Sequence, residues 1–192
     1  MDNVSRIADI LGENPYPGRG ILLGQTPAGN PVAAYFIMGR SANSRNRVFE
    51  KVGDDVVIRP FDPGRVEDAA LIHYAPLRQC GDALVVTNGD QTETICAALA
   101  RRERFETALE AREYEPDAPN YTPRISGLLY PGRRDEPYRL SILRRGSGGG
   151  CDRLYFAYAP AAGVGRLIHT YLGEGDPLPS FTGEPRPVQI PE

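Results

Sequence analysis

The residues of this chain best suited to chemistry crowd into one stretch, Gly39-Arg40-Ser41-Ala42-Asn43-Ser44-Arg45-Asn46-Arg47, directly after the apolar run 32–38. Arg40, Arg45 and Arg47 offer fixed forks of donors that match phosphate and carboxylate oxygens and keep their charge at any relevant pH. Asn46 adds a paired donor and acceptor suited to an amide or a base. At the end of a strand, such donors are aimed by a rigid scaffold. The bland alternative is a solvated basic turn, the usual fate of a charge run.

Three other stretches bear on that choice. Thr87-Asn88-Gly89-Asp90-Gln91-Thr92 joins a strand to a helix start, where glycine permits close backbone approach and free amides can meet an anion or carbonyl. The structural alternative is a capped helix, with Asp90 satisfying those amides itself. Glu113-Tyr114-Glu115 ends the helical region, and a desolvated carboxylate there could exchange protons. Solvated glutamates are the plain alternative. In Asn120-Tyr121-Thr122-Pro123-Arg124-Ile125, Pro123 stiffens a strand entry and Arg124 either converges on a site or pairs with a surface carboxylate. Tyr74 is a core aromatic or, if buried with a partner, a proton donor.

Several chemistries are excluded by what is missing. The chain has no phosphate-binding Gly-x-x-x-x-Gly-Lys-Ser/Thr loop and no Gly-x-Ser-x-Gly elbow. Two histidines make a histidine-based metal centre improbable, and Cys80, Cys96 and Cys151 show neither metal-ligand spacing nor a disulfide framework. No metal and no cofactor is therefore expected, and positioning with acid–base chemistry is favoured over covalent catalysis. The net charge of −3 argues against a nucleic-acid binder with a wholly basic surface, while a local anion site stays allowed. Lys51 is the only lysine, so the arginine count is not in itself functional. No run approaches the roughly twenty apolar residues of a membrane helix, and the N-terminus shows no secretory signal pattern. The expected compartment is the cytoplasm.

The elements that must hold these residues read as follows. The 192 residues, 41% hydrophobic and 24% charged, suit one globular domain spanning 1–192. Residues 21–23 and 32–38 flank a turn and predict a hairpin, with a further strand at 56–58. Residues 71–74 and 83–87 predict a second hairpin. The period then changes: Asp90 to Glu93 resembles a capping box, Ile95, Ala98, Leu99 and Arg102 follow at helical spacing, and a second helix covers 105–112. Strands return at 125–130, 138–143, 154–158 and 167–172, with a glycine-rich turn at 146–150. The proline-rich tail from Asp176 reads as irregular surface chain. Strands, two central helices and more strands give an α+β domain with helices over packed antiparallel sheets.

Taken together, Tyr16-Pro17-Gly18-Arg19-Gly20, the 39–47 stretch, Val86-Thr87-Asn88-Gly89, Tyr114-Glu115 and Thr122-Pro123-Arg124-Ile125 resemble the archaeal-type inosine monophosphate (IMP) cyclohydrolase family, in the same order along the chain. The resemblance implies a four-layer αββα sandwich like that of the N-terminal-nucleophile hydrolases. The chain opens Met1-Asp2-Asn3, so no nucleophilic Ser, Thr or Cys is visible at its start. An amidohydrolase activity is disfavoured on that ground. The implied reaction closes the second purine ring of formamidoimidazole carboxamide ribotide, with loss of water, to give IMP.

On that resemblance Arg47 polarises the formyl or carboxamide oxygen, Asn46 holds the base or the arginine, and Tyr74 and Glu115 form a proton-handling pair. Arg40 and Arg45, with backbone amides at Asn88 and Gly89, are candidates for the ribotide phosphate. Arg19 and Arg124 are further anion-binding candidates. The expected partners are the purine ribonucleotide substrate and IMP, neither nucleic acid nor membrane, with a homo-oligomer possible. A non-catalytic purine-nucleotide-binding or regulatory protein on the same scaffold is the alternative.

Overall fold

The computed structural model describes residues 4–65 and 74–192. Among the described residues the α-helices are α1 (Ile7–Gly12), α2 (Ala42–Arg45), α3 (Gln91–Ala100) and α4 (Phe105–Glu110). The strands are β1 (Arg19–Gln25), β2 (Pro31–Ile37), β3 (Val48–Val52), β4 (Asp55–Arg59), β5 (Leu77–Cys80), β6 (Ala83–Thr87), β7 (Arg124–Leu129), β8 (Tyr138–Arg145), β9 (Cys151–Tyr158), β10 (Val164–His169) and β11 (Arg186–Gln189). They form two antiparallel sheets, β11-β10-β1-β2 and β3-β4-β5-β6-β7-β8-β9. The fold class is α+β.

Alternation along the strands explains the packing. Ile21 and Leu23 of β1 meet Val86, Ile125, Leu140 and Ile142 of the larger sheet in one buried cluster, so the sheets lie face to face. The opposite parity of the larger sheet, Ala83, Val85, Leu128 and Leu143, packs on Ile95, Ala98, Phe105, Ala108 and Leu109 of α3 and α4. Leu167 and Val188, on the outer face of the smaller sheet, cover Ile10 of α1. Central β7, buried along its whole length, serves both layers. Each fully buried aliphatic side chain contributes about 1.5–3 kcal/mol.

Four sequence expectations need correction. The second hairpin is β5–β6, in register from Leu77↔Val86 to Cys80↔Ala83. Residues 71–73 of the expected strand lie outside the described residues, and Tyr74 sits in a bend. Asp90 makes no side-chain cap bond to α3, because its carboxylate is taken by two arginines. The tail is not wholly irregular: β11 pairs with β10, burying Val188. Finally, Cys80 and Cys96 form a disulfide across 16 residues, because α3 lies over β5 and brings the two together. Cys151 is free.

Candidate active site

At one end of the layer between the sheets, where β1 and β7 begin and β6 ends, a cavity of about 340 Å³ is lined by Arg19, Arg47, Tyr74, Asn88, Gly89, Asp90, Glu115, Pro116, Asp117, Thr122 and Arg124. That volume lies in the range of small-molecule sites, about 300–1,000 Å³. The cavity gathers Arg47, Tyr74, Glu115, Arg19, Asn88, Gly89 and Arg124 from the sequence-predicted set. It does not include Arg40, Arg45 or Asn46. The Arg40 guanidinium stacks 5.1 Å from the Tyr16 ring centroid. Exposed Arg45 donates to the Gly39 carbonyl at 2.9 Å and borders a separate cavity, which also touches Arg47.

Arg19 opens β1 with the inward parity of Ile21 and Leu23, so its side chain enters the gap between the sheets. Its backbone is fixed by Thr170, whose hydroxyl accepts the Arg19 N–H at 3.1 Å. Preceding Gly18 has φ +74°, and a Cβ there would lie 2.3 Å from the Thr170 hydroxyl oxygen. Only glycine fits that turn. Burial works against the Arg19 charge, yet the surrounding hydroxyls of Tyr35, Tyr74, Tyr171 and Tyr16 leave its pKa raised.

Arg47 follows α2, and Asn46 fixes it from behind. The Asn46 amide donates to the Asp62 carbonyl at 2.8 Å and accepts the Asp62 N–H at 2.7 Å. Asn46 is thus a buried clasp between the 39–47 stretch and the chain after β4. Burial, reinforced by Arg19, lowers the Arg47 pKa against the pull of Tyr74 and Tyr35. A guanidinium remains charged through such a shift. Among the described residues, the Nε atoms of Arg19 and Arg47 are both buried without a hydrogen-bond partner. Two cations facing one cavity with unused donors can hold the oxygens of an anion or a polarised carbonyl.

Across the cavity the charges are matched. Arg124 donates through Nη2 to Glu115 at 2.9 Å, through Nη1 to Gln91 Oε1 at 2.8 Å, and to Asp90. Arg112 also donates to Asp90, at 2.6 Å. Burial pushes the Glu115 carboxyl up, helped by Asp90 and Asp117 and opposed by Arg124. Burial would raise Asp90 too, but Arg112 and Arg124 hold it below the usual range. The Glu115 backbone N–H donates to the Thr122 carbonyl at 2.9 Å, and Asp117 accepts the Thr122 N–H at 2.6 Å. This loop therefore presents Glu115 from a fixed frame.

Asn88 and Gly89 are spent on construction. The Asn88 amide donates to the Pro123 carbonyl at 2.8 Å and accepts the Ile125 N–H at 2.9 Å, tying the end of β6 to the start of β7. Their backbone N–H groups donate to the Ile125 carbonyl and the Thr87 hydroxyl, both at 3.3 Å. A Cβ on Gly89 would sit 2.8 Å from Arg124 Nη1 and 3.0 Å from Glu115 Oε1, so glycine leaves room for the ion pair.

A profile of the family described as IMP cyclohydrolase-like protein matches residues 16–191. The chain belongs to this family. It is 36% identical over 170 residues to a protein of Methanopyrus kandleri named IMP cyclohydrolase, covering 86% of this chain and 79% of that protein. Proteins of the same name from Methanococcus aeolicus and Methanococcus maripaludis are 32% and 34% identical over 118 and 128 residues. Those matches cover 59% and 64% of this chain, and 58% and 61% of the relatives, less than two thirds of their length. Among the described residues, no helix is long and apolar enough to cross a membrane.

Sequence reasoning read Asp90 only as a cap and gave Pro116 and Asp117 no part in the site. For Asp90 a signal existed: Arg124 needs a counter-charge if buried. For Asp117, which acts through a local turn, no signal was available.

Proposed function

We propose that this family member is an IMP cyclohydrolase that closes the purine ring of formamidoimidazole carboxamide ribotide in the cavity bounded by Arg47, Tyr74 and Glu115. The convergence of those three side chains, distant in sequence, on one cavity supports the reading most directly. The same reading carries with it a single domain built as a four-layer αββα sandwich like that of the N-terminal-nucleophile hydrolases.

The reaction joins the carboxamide nitrogen to the formyl carbon, and the formyl oxygen departs as water. That water carries one proton from the carboxamide nitrogen and one from the formamide nitrogen. An amide nitrogen is a poor nucleophile, so the protein must align the two arms, stabilise charge on oxygen and move protons. Arg47 polarises the formyl oxygen. Glu115, made more basic by burial, receives a proton from nitrogen. Tyr74, kept protonated because burial raises its pKa, donates the first proton to the formyl oxygen, and the second, released by the formamide nitrogen as the hydroxyl leaves, reaches that oxygen through solvent. Arg19 serves as an anion-binding group opposite the internally neutralised Arg124. Arg40 and Arg45, outside the cavity, are left without a role in the chemical step.

Purified protein should convert the formylated ribotide to IMP, followed by its ultraviolet change, without added metal. Arg47→Ala and Glu115→Gln should each lower kcat at least about a hundredfold while the circular dichroism spectrum is retained. Tight IMP binding with no turnover would favour the non-catalytic alternative, and wild-type rates in both variants would remove these site assignments.

A further inference from the structure

Tyr35 belongs to the apolar strand β2 and does not line the cavity, yet it has a polar partner there. Its hydroxyl lies 3.0 Å from the Tyr74 hydroxyl. Its parity along β2 matches Ala33, so its ring projects between the sheets, in register with Ile21 of β1. Tyr74, by contrast, sits in a bend outside regular structure, packed on Ile58 and Ile37. A strand-borne phenol thus braces a bend-borne one.

We propose that Tyr35 is a positioning residue whose hydroxyl donates to the Tyr74 oxygen and so directs the Tyr74 O–H into the cavity. The direction of this bond follows from the neighbours. Arg19 from β1 and Arg47 from before β3 surround the phenol pair, and guanidinium groups have no lone pair to accept a proton. Among the described residues, the Tyr74 oxygen is the acceptor within reach of the Tyr35 hydroxyl. Tyr74's own proton is then left for a group in the cavity, which Glu115 faces from the loop after α4.

The consequence is electrostatic as well as geometric. Burial raises both phenols, but their mutual bond raises Tyr35 and lowers Tyr74, so Tyr74 is the one able to part with a proton. When Tyr74 gives its proton to the departing formyl oxygen, the phenolate left behind accepts from Tyr35 and lies beside the Arg19 and Arg47 charges. Glu115 has meanwhile taken a proton from nitrogen, and exchange with solvent restores both groups. This role rests on the proposed ring closure, whereas the hydrogen bond and its effect on Tyr74 do not.

The test separates the two. With 3-fluorotyrosine placed at position 74, fluorine NMR follows that phenol's ionisation in the ligand-free protein. Tyr35→Phe should raise the midpoint by about one pH unit, the scale of losing a hydrogen bond to a charged group. An unchanged or lowered midpoint overturns the proposal. Should Tyr35→Phe not fold, 4-aminophenylalanine at position 35 keeps the shape with a weaker donor; the midpoint should then rise by less, and no rise refutes. In the otherwise natural protein, Tyr35→Phe should lower kcat about tenfold with KM within about twofold. A change confined to KM would contradict it. Absence of turnover in the wild type would defeat the ring-closure reading alone, leaving the fluorine titration to decide for or against Tyr35.

Discussion

Replacing Arg124 by methionine removes the charge that ties Glu115 and Asp90 together while keeping the length of the side chain. In the wild type the Arg124 side chain is 9% exposed, Glu115 27% and Asp90 60%. Breaking a buried ion pair costs about 3–5 kcal/mol. The Asp90 half faces water and retains Arg112, so its share falls to the surface-pair range, about 1 kcal/mol or less. Glu115 can also escape part of the penalty by taking a proton. The expected destabilisation at pH 7.5 is about 2–3 kcal/mol.

The pH dependence distinguishes this account from simple loss of packing. Glu115 is raised above its unfolded value, so its favourable contribution is complete below the unfolded pKa and lost as pH rises through the folded one. Without the neighbouring Arg124 charge, which opposes burial, the folded pKa climbs further, each unit amounting to about 1.4 kcal/mol. The stability deficit of Arg124→Met should therefore shrink towards acid pH. The acid limb of kcat/KM should move to higher pH, because a protonated Glu115 cannot serve as base. Urea unfolding between pH 5 and 8 on the order of four steps, with pH–rate profiles, measures both. A deficit below about 0.5 kcal/mol that is flat in pH, with an unmoved acid limb, refutes the reasoning.

Other changes follow from the same geometry. Gly89→Ala drives a methyl group against Arg124 and Glu115, and should cost about 1–3 kcal/mol and lower kcat up to about a hundredfold by displacing the carboxylate; near-wild-type thermal melting and turnover would contradict it. Asn46→Ala strands the Asp62 N–H and carbonyl, so stability should fall by about 1–3 kcal/mol in urea titrations, and kcat should fall with it because Arg47 loses its clasp. Thiol titration of unreduced, denatured protein should find Cys151 alone, and reduction should release Cys80 and Cys96 as well; three thiols before reduction would exclude the pairing.

The parts of the fold legible in the sequence are those set by local pattern. The alternation of β1, β2 and β7–β9 and the helical spacing of Ile95, Ala98 and Leu99 locate sheets and helices, because burial on one face imposes those periods. β11 is hidden by its prolines: Pro187 lies within the strand, yet it sits on a sheet edge where a missing N–H is tolerated. The Cys80–Cys96 contact depends on α3 folding back over β5, which no spacing rule announces. The site shows the same division. The arginine-rich stretch, Asn88-Gly89 and Glu115 are conspicuous by residue type, but which arginine enters the cavity is decided in three dimensions. Arg47 enters because Asn46 is clasped to Asp62, while Arg45 turns back to Gly39. Tyr35 was legible only as an apolar strand residue, since its partner Tyr74 lies across the gap between the sheets.

A crystal structure of the protein soaked with IMP bears most directly on the claim that one cavity gathers the reacting groups. The account predicts the purine ring between Arg47, Tyr74 and Glu115, with their polar atoms within hydrogen-bond reach of the newly closed ring. Nucleotide bound elsewhere, with that cavity holding only water, would contradict it.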